Sequence, residues 1–114
     1  MSAPLSTVIY PVKDLAQAKG FYAKLLGAEP YVDQPYYVGF RVGEQEIGLD
    51  PHGHDQGMTA PVGYLTVSDI QQSLKTLTEA GAQVQRPVRD VGGGKLIAVV
   101  RDADGNATGL MQEP

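Results

Sequence analysis

Residues 5–12, Leu-Ser-Thr-Val-Ile-Tyr-Pro-Val, are rich in β-branched and aromatic types and predict a strand. Pro11 cannot donate to a ladder, so it belongs near the strand's end or at an edge. The period then changes. Asp14 offers a helix N-cap, and Leu15, Ala18, Tyr22, Leu25 and Leu26 recur at helical spacing, with Phe21 on the same side. Gly27 closes that helix. Tyr31-Val32 suits a short strand and residues 36–42 a longer one. Gly43-Glu44 makes a turn, and Glu46-Ile47-Gly48-Leu49 completes a hairpin.

Residues 50–61 are turn chemistry from end to end and predict a linker. After it the order restarts. Val62 to Val67 predicts a strand, Asp69 a cap, Ile70, Leu74 and Leu77 a helical stripe, and Gly81 a stop. Extended chain from Val84 is broken by Pro87. Gly92-Gly93-Gly94 is a turn, Leu96 to Val100 a strand, residues 102–106 a turn, and Ala107 to Met111 the last strand.

The second half therefore repeats the first. Val12-x-Asp14-Leu15 is answered by Val67-x-Asp69-Ile70, Gly27-Ala28 by Gly81-Ala82, and Arg41 before an acidic turn by Arg101 before another. The expected organisation is a single domain over 1–114, with module one at 5–50, a linker at 51–61 and module two at 62–112.

Composition narrows the function. At 42% hydrophobic and 19% charged, the chain has the balance of a globular protein and not of a disordered one. No apolar run approaches the roughly 20 residues of a membrane helix, and Met1-Ser2-Ala3-Pro4 lacks signal-peptide character, so no membrane partner and a cytoplasmic location are expected. The chain has no cysteine, which excludes disulfides, thiolate metal sites and a thiol nucleophile. With a net charge of −4 and nine scattered basic residues, no nucleic-acid partner is expected. A core of this size is modest, and a homodimer would relieve that.

Pro11-Val12-Lys13-Asp14-Leu15, then Phe21-Tyr22, then Leu26-Gly27 resemble the opening of the vicinal oxygen chelate superfamily, which includes glyoxalase I, bleomycin-resistance proteins and extradiol dioxygenases. Residues 102–106, Asp-Ala-Asp-Gly-Asn, resemble its closing turn with alanine in place of proline. The resemblance covers nearly the whole chain. It implies an α+β fold of two βαβββ modules whose mixed sheets form a cup, helices on the outer face, commonly completed in a homodimer. It also implies a divalent metal held by His, Glu or Gln from the first and last strands of each module. Those positions fall on Thr7, Gly48, Val62 and Gly109. Glycine and valine carry no side-chain donor and threonine is a poor ligand for transition metals, so no metal and no cofactor are expected.

If these four positions face the cup, strand alternation adds Ile9, Glu46, Asp50, Tyr64, Thr66 and Met111. Val8, Tyr10, Val12, Ile47, Leu49, Leu65, Val67 and Leu110 then face the helices. On 36–42, Tyr37 and Arg41 join the cup, and Arg101 follows by the repeat. The candidate ligand-binding residues are thus Thr7, Ile9, Tyr37, Arg41, Glu46, Asp50, His52, Val62, Tyr64, Arg101 and Met111. They combine flat apolar surface with a few charges, as small-molecule sites do. Arg41 is equally explained as a hairpin partner of Glu46, a pair worth about 0–1 kcal/mol if exposed.

Other chemistry is weaker. Asp50-Pro-His52-Gly-His54-Asp55 holds metal-ligand types, but on a loop without a rigid shell; a solvated loop or a lid is the expectation. Gly92-Gly93-Gly94-Lys95 lacks phosphate-loop spacing and precedes a strand. No Gly-x-Ser-x-Gly elbow accompanies the serines. Three readings stand: a metal-free protein binding a small, partly aromatic molecule such as an antibiotic; a metal-dependent lyase, isomerase or dioxygenase of the same superfamily; and a regulatory or interaction module.

Overall fold

The computed structural model describes residues 5–114; the expectation about the N-terminal tetrapeptide lies outside them. The described chain is α+β and forms two compact units, one over Ser6–Val62 and the other over Gly63–Pro114 with Leu5. No described helix is long and apolar enough to cross a membrane.

The first unit contains β1 (Leu5–Pro11), α1 (Leu15–Leu26), β2 (Val32–Gln34), β3 (Tyr37–Val42) and β4 (Gln45–Asp50). Its strands lie in the order β2-β3-β4-β1. Two antiparallel hairpin pairings are followed by a parallel pairing of β1 with β4. The second unit contains β5 (Val62–Thr66), α2 (Ile70–Glu79), β6 (Gln83–Asp90), β7 (Leu96–Arg101) and β8 (Ala107–Gln112). Its order is β5-β8-β7-β6, again with the first and last strands parallel. The repeat read from caps and turns is therefore a repeat of βαβββ topology.

The helix boundaries follow from their caps. Asp14 Oδ1 accepts the Gln17 N–H at 3.0 Å, and Asp69 Oδ1 accepts that of Gln72 at 3.1 Å. Gly27 ends α1 with φ +64, the left-handed conformation a Cβ would resist. The Gln112 side chain also accepts the Ile70 N–H at 2.7 Å, tying the last strand to the start of α2.

Each helix packs on one face of its unit's sheet. Val38, Phe40 and Leu49 are fully buried against Leu15, Ala18, Tyr22 and Leu26. Burying a side chain of that size contributes about 1.5–3 kcal/mol. Ile70, Ala98 and Leu110 form the corresponding core with Val67, Leu74 and Leu77. Leu49 and Leu110 are among the helix-facing strand residues that alternation assigns.

Two expectations need correction. Phe21 and Leu25 are 60% and 65% exposed, because the stripe that meets the sheet is Leu15-Ala18-Tyr22-Leu26 and those two lie beside it. Pro87 does not break β6. That strand pairs only with β7 among the described residues, and its register shifts between Val84 and Arg86 and between Arg86 and Arg89. An edge with irregular pairing tolerates a residue that has no N–H. Residues 51–61 form a largely exposed turn segment with some local order. His54–Gln56 form a 3₁₀ turn, and buried Gly53 sits so close to Pro11 and Met58 that a Cβ would meet Pro11 Cβ at 2.7 Å.

Candidate functional site

The helix-free face of the first unit carries Thr7, Ile9, Tyr37, Gly39, Arg41, Glu46, Gly48 and Asp50, set by register. Thr7 stands opposite Glu46 and Ile9 opposite Gly48 between β1 and β4. Arg41 stands opposite Glu46 and Gly39 opposite Gly48 between β3 and β4. Two glycines side by side leave a patch of bare backbone, and the Tyr37 ring fills it. A Cβ built on Gly48 would collide with the Tyr37 hydroxyl and lie 2.7 Å from its Cε1; one on Gly39 would stand 3.1 Å from Tyr37 Cε2.

The Tyr37 hydroxyl donates to Glu46 Oε2 at 2.5 Å, and the Tyr31 hydroxyl donates to Glu46 Oε1. Arg41 lies with its guanidinium carbon 4.3 Å above the Tyr31 ring and its Nη2 3.9 Å from Glu46 Oε1. One carboxylate thus gathers two phenols and a cation. Burial first, and then the hydrogen bond to Glu46, hold the Tyr37 phenol protonated far above its ordinary range. Tyr31 is raised for the same reasons in the same order.

The second unit repeats the device with different partners. Tyr64 stands directly opposite Gly109, and its ring covers that glycine: a Cβ there would lie 2.5 Å from Tyr64 Cγ. Tyr64, Met111 and Val99 on this face are buried.

The predicted residues divide accordingly. Tyr37, Arg41 and Glu46 converge on one cluster. Thr7 is buried opposite Glu46, and Ile9 reaches over Gly48. Asp50 accepts the His52 backbone N–H at 2.8 Å, while the His52 side chain stays exposed and outside the cluster. Val62 is buried at the end of the first unit. Tyr64 and Met111 lie together on the second unit's face. Arg101 shares that face through its pairing with Ala107 and donates to the Gly105 carbonyl at 3.3 Å. Sequence reasoning missed Tyr31. It precedes β2, where alternation assigns no face, and the only signal for it was a second aromatic side chain near the hairpin.

A divalent metal does not fit these residues. Of the four positions implied by the resemblance, only Thr7 carries a donor, and the volume above Gly48 and Gly109 holds tyrosine rings. Glu46, two residues before Gly48 on β4, is already engaged by two hydroxyls. Among the described residues no three His, Cys, Asp or Glu side chains cluster as a metal site.

The chain is thus built of tandem βαβββ units with a tyrosine laid on the last-strand glycine of each. More specifically, a model of the Glyoxalase/Bleomycin resistance protein/Dioxygenase superfamily matches residues 5–110, and the chain belongs to that superfamily. The fold is similar to that of a superfamily member from Vibrio splendidus 12B01, with a TM-score of 0.73 and 14% identity over 94% of this chain and 97% of that one. It is similar to methylmalonyl-CoA epimerase from Mycobacterium tuberculosis, with a TM-score of 0.70 and 18% identity over 96% and 87%. It also resembles the Mn(II)-bound glyoxalase from Novosphingobium aromaticivorans, with a TM-score of 0.69 and 21% identity over 98% of this chain and 40% of that one. No curated protein matches the chain.

Proposed function

We propose that this chain is a metal-independent member of its superfamily that binds a small, partly aromatic molecule on the helix-free faces of its sheets, without catalysing a reaction on it. One observation carries the reading. At Gly48 and Gly109 the side chain that would grip a cation is missing, and a tyrosine ring occupies the space. A ring lying flat on the sheet offers a rigid stacking surface, with partners favouring offset or edge-on contact worth about 0.5–1.5 kcal/mol beyond area burial. Glu46 contributes to this surface by holding Tyr31 and Tyr37 in place rather than by ligating an ion. Assembly of two chains into a homodimer belongs to the same proposal, since a domain this small gains stability by pairing.

The test combines two measurements on the full chain. Metal analysis after purification in the presence of manganese, nickel and zinc is expected to find far less than one ion per chain. Thermal melting against a panel of planar aromatic compounds, including aromatic antibiotics, is expected to raise the midpoint with at least one of them, because a ligand selective for the folded state must do so. Close to one tightly held transition-metal ion per chain would overturn the reading in favour of a metal-dependent enzyme. Unchanged melting across the panel would overturn it in favour of an interaction module.

A further inference from the structure

The outer side of α1 is built unlike an ordinary solvated helix face. Gln17, Gly20, Phe21, Lys24 and Leu25 are all exposed, Phe21 and Leu25 by 60% and 65%. At 3.6 residues per turn they share one arc, opposite the Leu15, Tyr22 and Leu26 side chains that pack on the sheet. Phe21 and Leu25 are four apart, so they form one apolar patch rather than two separate exposures. A groove of about 360 Å³ adjoins them, with Val12, Gln17, Ala18 and Tyr22 in its lining.

Gly20 stands in the middle of this arc. A Cβ built there meets nothing within 4 Å among the described residues, and its φ is not positive. Glycine is among the poorest helix formers, and no described neighbour requires one here. What a glycine at that place supplies is room for a second backbone to approach from outside. The charges add a direction. Asp14 precedes the helix and Lys24 lies in its last turn, both exposed. Ten residues of helix set them about 15 Å apart, too far to pair within one chain.

Resting on the paired assembly proposed above, we infer that two copies of this chain associate through the outer face of α1, the two helices antiparallel. With the two-fold axis at the level of Lys19, Lys24 stands by the partner's Asp14, and the contact occurs twice. Phe21 enters the groove beside the partner's Gln17, and Leu25 covers the stem of the partner's Lys13. Gly20 lies at the crossing and lets the backbones close, while the antiparallel macrodipoles attract. A two-fold interface requires one surface that complements itself, and this stripe does so in shape and in charge. A single helix pair buries less than the roughly 1,200–2,000 Å² of a standard interface, so the pair is reversible, with a Kd on the order of micromolar.

The test is sedimentation velocity of the full chain between about 1 and 500 µM, which spans that range. Phe21→Ser is expected to weaken association at least tenfold, while dilute, dissociated protein keeps the stability of the parent. Gly20→Gln is expected to give opposite signs. A long side chain at the crossing weakens association about tenfold, yet dilute protein melts higher because glutamine is the better helix former. Lys24→Glu is expected to weaken association about tenfold by placing like charges together, and to lose most of that effect in an Asp14→Asn background, where the helix cap is retained. Groups so far apart in one chain should not otherwise couple. Additive effects of Lys24→Glu and Asp14→Asn would overturn the antiparallel arrangement. A dimer indifferent to all these substitutions would overturn this surface while leaving the pairing intact. A monomer throughout the range would overturn both, and would leave the small-molecule role to its own assay.

Discussion

Replacing Gly48 with alanine isolates the ring-on-glycine contact. The new methyl would collide with the Tyr37 hydroxyl, lie 2.7 Å from Tyr37 Cε1 and 2.6 Å from Ile9 Cδ1. The Ile9 terminus can rotate away, but the Tyr37 ring is fixed by its hydrogen bond to Glu46 at 2.5 Å. Either the ring stays and the strand is overpacked, which costs about 1–3 kcal/mol, or it lifts and loses a charged hydrogen bond, worth about 1.5–3 kcal/mol. The expected cost is therefore about 2–3 kcal/mol. At this chain length each kcal/mol moves Tm by roughly 4 °C, so Gly48→Ala is expected to melt about 10 °C lower. A double-mutant cycle assigns the cause. In a Tyr37→Ala background the same Gly48→Ala change is expected to be close to neutral, because the collision is gone and alanine is less costly than glycine in a strand. Urea denaturation of the four proteins supplies the free energies. A coupling below about 0.5 kcal/mol, or a Gly48→Ala protein as stable as the parent, would refute the packing argument and with it the claim that aromatic surface has replaced a ligating side chain.

Alkaline pH should find the same cluster. Folding raises the Tyr37 phenol pKa above its ordinary value, so the folded chain keeps a proton that the unfolded chain sheds near pH 10. That stabilisation is complete below about pH 10 and lost above it; urea midpoints between pH 8 and 11.5 should fall, and less steeply in Tyr37→Phe. Asp14→Ala and Asp69→Ala should each cost about 0.5–2 kcal/mol in the same assay, since each carboxylate caps a helix. Phe21→Ser should change stability by less than about 0.5 kcal/mol, whereas Tyr22→Ala, one position away and packed partly buried against the core, should cost about 1–3 kcal/mol.

Much of this protein is legible in its sequence because the signals are local. Asp14 and Asp69 can cap a helix only where they stand, Gly27 can close one because it tolerates a left-handed backbone, and strand alternation separates Val38, Phe40 and Leu49 from Tyr37, Glu46 and Gly48 before any contact is known. The absence of donors at Gly48, Val62 and Gly109 is likewise a fact of composition. Tertiary structure decided what took the donors' place. That the Tyr37 ring lies over Gly39 and Gly48 depends on those glycines being paired across two strands, and pairing is a non-local choice. Tyr31 reaches Glu46 from outside any predicted face. The bulged edge strand turns Arg86 and Arg89 to the same side, although a spacing of three in an unbroken strand sets them on opposite faces. Side-chain direction within an element follows from period alone; which elements meet, and at what offset, is set by the balance of burial and hydrogen bonding over the whole unit.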